Sequence, residues 1–173
     1  FSLSRDGREF TAPSEADYTL KLRFAEFDPQ HDAPAVPAGI AHARNAGLCI
    51  VQYWTPGLEA YRQAIRALGG ENLLFLANHA NVWALPAETA AAVAALPFVR
   101  AVAPFHPAYK VEGALLAAIA ANAGGELRVN VLTMRRGPAS KESVGQLVKG
   151  LGGTVEEVSN ETFLMSVTLP VHR

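Results

Sequence analysis

The residues able to do chemistry in this chain are few and scattered. The five histidines are His31, His42, His79, His106 and His172. No two stand at the i, i+4 spacing that puts two ligands on one helix face, and none neighbours the single cysteine, Cys49. A zinc site needs clustered ligands, so no metal is expected. The acids Asp6, Glu9, Glu15 and Asp17 lack the alternating Asp/Asn ligands and closing Glu of a calcium loop, and read as a solvated terminus. Glu156 and Glu157 are adjacent in a strand-like run, so they point to opposite faces and are ill placed for joint acid–base work. Cys49 sits inside the apolar run "LCIVQYW" and reads as a small buried strand residue. The pairs Gly69-Gly70, Gly124-Gly125 and Gly152-Gly153 all follow helix-like runs, whereas a phosphate cradle needs its glycines between a strand and a helix start. No serine lies in a G-x-S-x-G elbow. The chain is therefore expected to catalyse nothing on its own and to hold no cofactor.

Composition narrows the classes further. The chain has 173 residues, half of them apolar and 18 % charged, which is the balance of a folded protein. Its formal net charge is -1, without the basic excess of a general nucleic-acid grip. "FSLSRDGREF" has no basic start followed by an apolar core, so any signal peptide is expected to have been removed. The longest helix-like apolar run, "GALLAAIAANAGG", falls short of the ~20 residues of a membrane span.

The elements that would position side chains follow a regular order. Residues 1–45 form a lead-in: "YTLKLRFAEFDP" alternates Leu20, Leu22 and Phe24 against Lys21, Arg23 and Ala25, which predicts a strand with one buried face. "DPQHDAPAVPAGI", with three prolines, predicts an extended loop. Residues 46–110 read β-α-β-β-α-β. "LCIVQYW" is the first strand, and Thr55-Pro56 predicts a helix start with Leu58, Tyr61, Ile65 and Leu68 on its apolar face. Gly69-Gly70 ends that helix, and "NLLFLAN" and "ANVWAL" follow as strands. Pro86 then opens a second helix that ends at Pro97, and "VRAVAPF" is the fourth strand. Residues 111–125 predict a helical linker buried along Leu115, Leu116 and Ile119.

From residue 126 to 173 the pattern restarts. "ELRVNVLTM" predicts a strand, and "ASKESVGQLVKGLGG" a helix capped by Ser140 with Val144, Leu147, Val148 and Leu151 on one face. "TVEEVS" and "TFLMSVTLP" are two further strands. Leu68-Gly69-Gly70 matches Leu151-Gly152-Gly153 at an offset of 83, and Leu85-Pro86 matches Leu169-Pro170 at 84. The reading is a tandem repeat of one supersecondary unit, an α+β chain of two ferredoxin-like units with the second truncated.

"LCIVQYW" followed by "AYRQAIRALGGENLLFLANHANVWALPAETAAAVAALPFVRAVAPFHPAY" resembles the prosegment of subtilisin-like serine proteases. The carrying features are a strand leading into a helix, two strands, the step Leu96-Pro97-Phe98-Val99, and a tail at His106 to Tyr109. The likeness covers Leu20 to Lys110 well and Glu126 to Pro170 more loosely. It implies a non-catalytic N-terminal region of a secreted, periplasmic or envelope zymogen that helps the protease fold, inhibits it, or scaffolds it. In such prosegments the sheet packs on two surface helices of the enzyme, and an extended tail lies in the cleft by β-augmentation. The implied partner is a subtilisin-like catalytic domain, the downstream part of the same precursor, with no nucleic acid and no membrane span. None of the family's catalytic motifs is present. Two tails are candidates for the cleft: Leu169, Pro170, Val171, His172 and Arg173, with Arg173 as processing site; and His106, Pro107, Ala108 and Tyr109.

The second unit has no counterpart of Ala87 to Phe105. A bare first strand invites pairing, and ~300 Å² of apolar sheet left wet would forgo on the order of 7 kcal/mol. The missing helix and strand are expected from a second polypeptide, most simply the remainder of the precursor cut after Arg173 and still docked. In the other reading "TLPVHR" is itself a finished inhibitory tail. Two other classes share the β-α-β-β-α-β order. RNA-recognition domains need an aromatic, basic sheet, and here the third strand offers only Trp83. Tandem amino-acid-sensing regulatory modules are the alternative function, and adding the chain to a subtilisin-like protease assay separates them from the prosegment reading.

Overall fold

The computed structural model describes residues 1–31, 33–41, 47–121, 124–159 and 161–171. Among these residues the chain is α+β, with three antiparallel sheets and four α-helices. It forms two compact units, Phe1–Glu112 and Gly113–Arg173, so the lead-in belongs to the same unit as the β-α-β-β-α-β stretch.

In the first unit, β1 (Leu20–Lys21) and β2 (Glu26–Phe27) pair with each other. The main sheet is built from β3 (Leu48–Tyr53), β4 (Glu71–Leu76), β5 (Ala80–Ala84) and β6 (Val99–Pro104) in the order β4-β5-β3-β6. Helices α1 (Glu59–Ala67) and α2 (Ala90–Ala94) connect β3 to β4 and β5 to β6. Both pack on one face. Ile65 of α1 and Val93 of α2 join Val51, Tyr53, Trp83, Leu85 and Val99 in a single buried cluster, with Tyr61 and Phe98 stacked 4.2 Å apart at its margin. Burial of this many large side chains, each contributing about 1.5–3 kcal/mol, is what holds the helices to the sheet. Two polar groups taken inside pair with each other: the Trp83 indole donates to the Tyr53 hydroxyl at 3.1 Å, and burial pushes the Tyr53 hydroxyl up to about 12.

The second unit starts with α3 (Gly113–Ala120) and then runs β7 (Glu126–Leu132), α4 (Pro138–Gly150), β8 (Thr154–Val158) and β9 (Leu164–Pro170). Its sheet order is β7-β9-β8. Val148 of α4 packs on Met165 and Val167 of β9, flanked by Val129, Val131, Val144, Val155 and Leu169.

Several local expectations are corrected. The lead-in is a hairpin rather than one strand, because the Leu22 N–H bonds the Ala25 carbonyl and turns the chain back. Helix α1 begins at Glu59, not at Thr55-Pro56: Leu58 is extended, and the Thr55 hydroxyl reaches the Pro56 carbonyl and the Tyr61 hydroxyl instead of capping. Pro86 opens a turn closed by the Thr89 N–H, and α2 starts only at Ala90. Helix α4 is capped at Gly137 with Pro138 in its first turn, so Ser140 lies inside the helix. Helix α3 has no buried residue, and Ile119 is 48 % exposed.

The positions matched between the two stretches also share local backbone conformation. Leu68 and Leu151 end their helices with φ, ψ of -87°, 7° and -86°, 4°. Gly69 and Gly152 follow at φ of +89° and +78°, the left-handed conformation that glycine adopts without steric cost. Gly70 N–H then bonds the Ile65 carbonyl, as Gly153 N–H bonds that of Val148. A Cβ on Gly70 would lie 2.7 Å from Ile65 and 2.9 Å from Leu85; one on Gly153 would lie 3.1 Å from Val148 and 2.7 Å from Leu169. Ile65 and Val148 are 83 positions apart, and Leu85 and Leu169 are 84 apart. Even the strand irregularity recurs, between Asn72 and Leu74 against β5 and between Val155 and Glu157 against β9.

Candidate functional site

The four-stranded sheet has one face covered by α1 and α2 and the three-stranded sheet one face covered by α4, so function at a surface turns on the opposite face and on the strand edges. In the first unit the opposite face is sealed by the protein's own lead-in. Ile50, Gln52 and Val82 are fully buried there, as is Leu20 of the lead-in. The Gln52 amide nitrogen donates to the carbonyls of Tyr18 and Asn78 at 2.8 and 3.0 Å. Arg100 of β6 forms a two-pronged ion pair with Asp28, at 2.7 and 2.6 Å, and donates to the Gln52 side-chain oxygen at 2.6 Å. Its guanidinium lies 4.2 Å from the centre of the Tyr18 ring. Hydrogen bonds from Arg100 hold the Asp28 carboxyl well below the usual carboxylate range, against burial, which alone would raise it.

The segment His106 to Tyr109, one of the two tail candidates, is folded into this arrangement. Pro107–Lys110 make a 3-10 turn, and His106 Nδ1 accepts from the Ala108 N–H at 3.1 Å. Ala108 is 1 % exposed, and Tyr109 packs against Phe24, Phe27 and Phe105. An extended product-like strand would need this turn to unwind.

The second unit is laid out on the same plan, but β7 pairs only with β9 among the described residues. Where Val51 and Leu85 are fully or almost fully buried in the first unit, their counterparts Val131 and Leu169 are half-exposed. Leu147 of α4 is 63 % exposed and Leu151 39 %. The face opposite α4 is open and mixed, with the exposed Leu132 and Leu164 at one end and polar residues along the rest. Arg128, Asn130, Thr154 and Glu156 are exposed on or beside it, and Ser166 donates to the Asn130 side chain at 2.9 Å.

The other tail candidate divides. Leu169 and Pro170 lie in β9, opposite Leu127 and Glu126 of β7, and the Val171 N–H bonds the Gly125 carbonyl at 3.0 Å. His172 and Arg173, and with Arg173 the expected processing site, lie outside the described residues. Lys141 is a residue the sequence did not single out: it is 2 % exposed, and its ammonium donates to the carbonyls of Ser159 and, at 2.5 Å, Thr162, tying the β8–β9 connection to α4. Beside it, Val155, Val158 and Met165 help line a shallow groove of about 350 Å³.

Protein-family models, curated proteins and solved structures yield no match to this chain. The geometry therefore stands by itself. Among the described residues no group of three or more His, Cys, Asp and Glu is placed to hold a metal ion, and no helix is long and apolar enough to cross a membrane. Cys49 is half-buried on β3, and burial pushes its thiol up, away from the thiolate a nucleophile needs.

Proposed function

We propose that the chain is a non-catalytic propeptide region of a subtilisin-like serine endopeptidase, made of tandem ferredoxin-like units and acting on an exported catalytic domain as inhibitor, folding aid or docked scaffold. One observation carries this reading. The β-α-β-β-α-β order closes into the sheet β4-β5-β3-β6, with Leu96-Pro97-Phe98-Val99 turning α2 into β6 and His106 to Tyr109 directly following. This order is in keeping with the resemblance to prosegments, in which one sheet face is presented to an enzyme.

The burial pattern favours the second unit as the one that presents its face. A docking sheet must be accessible, and the first unit's face is closed by the lead-in. The second unit's open face, with Arg128 and Asn130 exposed on it, is the proposed contact for the catalytic domain. The test is binding of the purified chain to a subtilisin-like protease, in active form and with its cleft blocked by a covalent inhibitor. Inhibition of the active enzyme, with binding retained on the blocked one, is the expected result. Neither inhibition nor binding across several such enzymes would remove the proposal.

A further inference from the structure

The β7 edge is a built acceptor for one kind of ligand, and the first unit shows what that ligand looks like. The first strands of the two units pair in corresponding registers. The Tyr53 N–H bonds the His79 carbonyl at 2.9 Å, and the Thr133 N–H bonds that of Phe163 at 2.9 Å. Pairing Cys49 with Trp83 corresponds to pairing Val129 with Val167. Val129 to Thr133 thus stand where Cys49 to Tyr53 stand. In the first unit this strand carries β6 on its far side: Ile50 faces Ala103, Val51 faces Val102 and Gln52 faces Ala101. In the second unit the far side of β7 has no strand among the described residues.

Peptide groups on successive residues of an antiparallel strand point to opposite sides. Val129, Val131 and Thr133 point theirs at β9, as the Thr133 bond shows. Those of Arg128, Asn130 and Leu132 therefore point outward along the free edge. The apolar surface beside them is also the one that α2 covers in the first unit. Val131, Leu169, Leu147 and Leu151 are all partly or largely exposed there.

We propose that this edge takes up a helix–strand polypeptide segment of the type of residues 86–104, as an added antiparallel strand in the register of β6. The occupant carries a short apolar helix with one inward residue, as Val93 is, then a Leu-Pro-x-Val step. Its strand puts an apolar residue opposite Val131, as Val102 lies opposite Val51. Opposite Asn130 and Leu132 it carries small residues, as Ala103 and Ala101 lie opposite Ile50 and Gln52. The inference rests on the repeat and the edge, and holds whether or not the chain acts on a protease.

The test is amide hydrogen exchange on the full chain and on a version with residues 87–105 repeated directly after Pro170. In the unaltered chain Arg128, Asn130 and Leu132 should exchange freely while Val129, Val131 and Thr133 are protected. In the extended chain the three free amides should slow by at least about tenfold. Arg128→Pro, which removes one outward N–H at an edge that tolerates proline, should abolish that gain in the extended chain yet leave the unaltered chain folded. Three outcomes would overturn the inference: free exchange persisting in a folded extended chain, protection already present in the unaltered chain, or protection that rises with its concentration, which would make a second copy the occupant.

Discussion

Arg100 is a charged residue inside a strand that otherwise reads as apolar, and it is 5 % exposed. Such a residue is tolerable only when its charge is met, and Asp28 meets it. Asp28→Asn would leave the guanidinium charge buried without a countercharge, with only neutral amide oxygens, those of Asn at position 28 and of Gln52, as side-chain acceptors. The expected loss is about 3 kcal/mol from the first unit. Both tryptophans, Trp54 and Trp83, belong to that unit, so denaturant unfolding followed by their fluorescence reads it selectively. The pH dependence follows from the direction of the Asp28 shift. Its carboxyl is depressed in the folded state, so its stabilisation is complete above the unfolded value of about 4 and is lost as pH falls toward the lower folded value. The gap between wild type and Asp28→Asn should therefore be constant from pH 5 to 7 and shrink below about pH 4. A gap that widened in acid would refute the pairing. The charge on Arg100 was visible in the sequence, but its partner lies 72 residues away, and no local pattern reports a contact over that distance.

At the scale of elements, sequence reading succeeded where backbone conformation is dictated by one residue and failed where it is shared. Gly69 and Gly152 mark helix ends because their positive φ is costly for other residues, and these marks located the repeat. Helix starts were misplaced because proline fixes φ equally in a turn and in a first helical turn, and at Pro56 and Pro86 the turn won. The strands of the four- and three-stranded sheets are legible from β-branched alternation. The glycines that pack helix against sheet test the repeat directly. On Gly153 an added methyl would meet the Thr168 carbonyl at 2.5 Å, a backbone atom that cannot swing aside. On Gly70 the closest atoms are the Ile65 and Leu85 methyls at 2.7 and 2.9 Å, which can give way a little. Gly153→Ala should cost about 2–3 kcal/mol and Gly70→Ala about 1–2 kcal/mol, each felt in its own unit. Trp fluorescence should register only the second, while hydrogen exchange of β9 amides should register only the first.

At the scale of the whole molecule, one supersecondary plan has been put to two uses by changing what covers it. In the first unit the sheet face opposite the helices carries Ile50 and Val82 and is closed by the lead-in; in the second, Asn130 and Ser166 occupy the matching positions, Asn130 exposed and the buried Ser166 bonded to its side chain. The lead-in cover was the least legible feature of all, because Leu20, Leu22 and Phe24 announce a buried side without saying what buries it. This division separates two ways the chain could engage a protease. Were the first unit the docking surface, deleting residues 1–31 would uncover it and tighten inhibition. With the second unit docking, the same deletion should destabilise the first unit, exposing Ile50 and Val82 to a hydrophobic dye, and leave the inhibition constant unchanged. The complementary variant is Asn130→Arg, a bulky charge added to an exposed position beside Arg128. It should weaken inhibition by about tenfold, equivalent to roughly 1.4 kcal/mol of lost binding, while fluorescence-detected unfolding of the first unit stays unchanged. The opposite pairing of results, tighter inhibition on deletion and indifference to Asn130→Arg, would move the docking surface to the first unit and assign the lead-in the role of its removable cover.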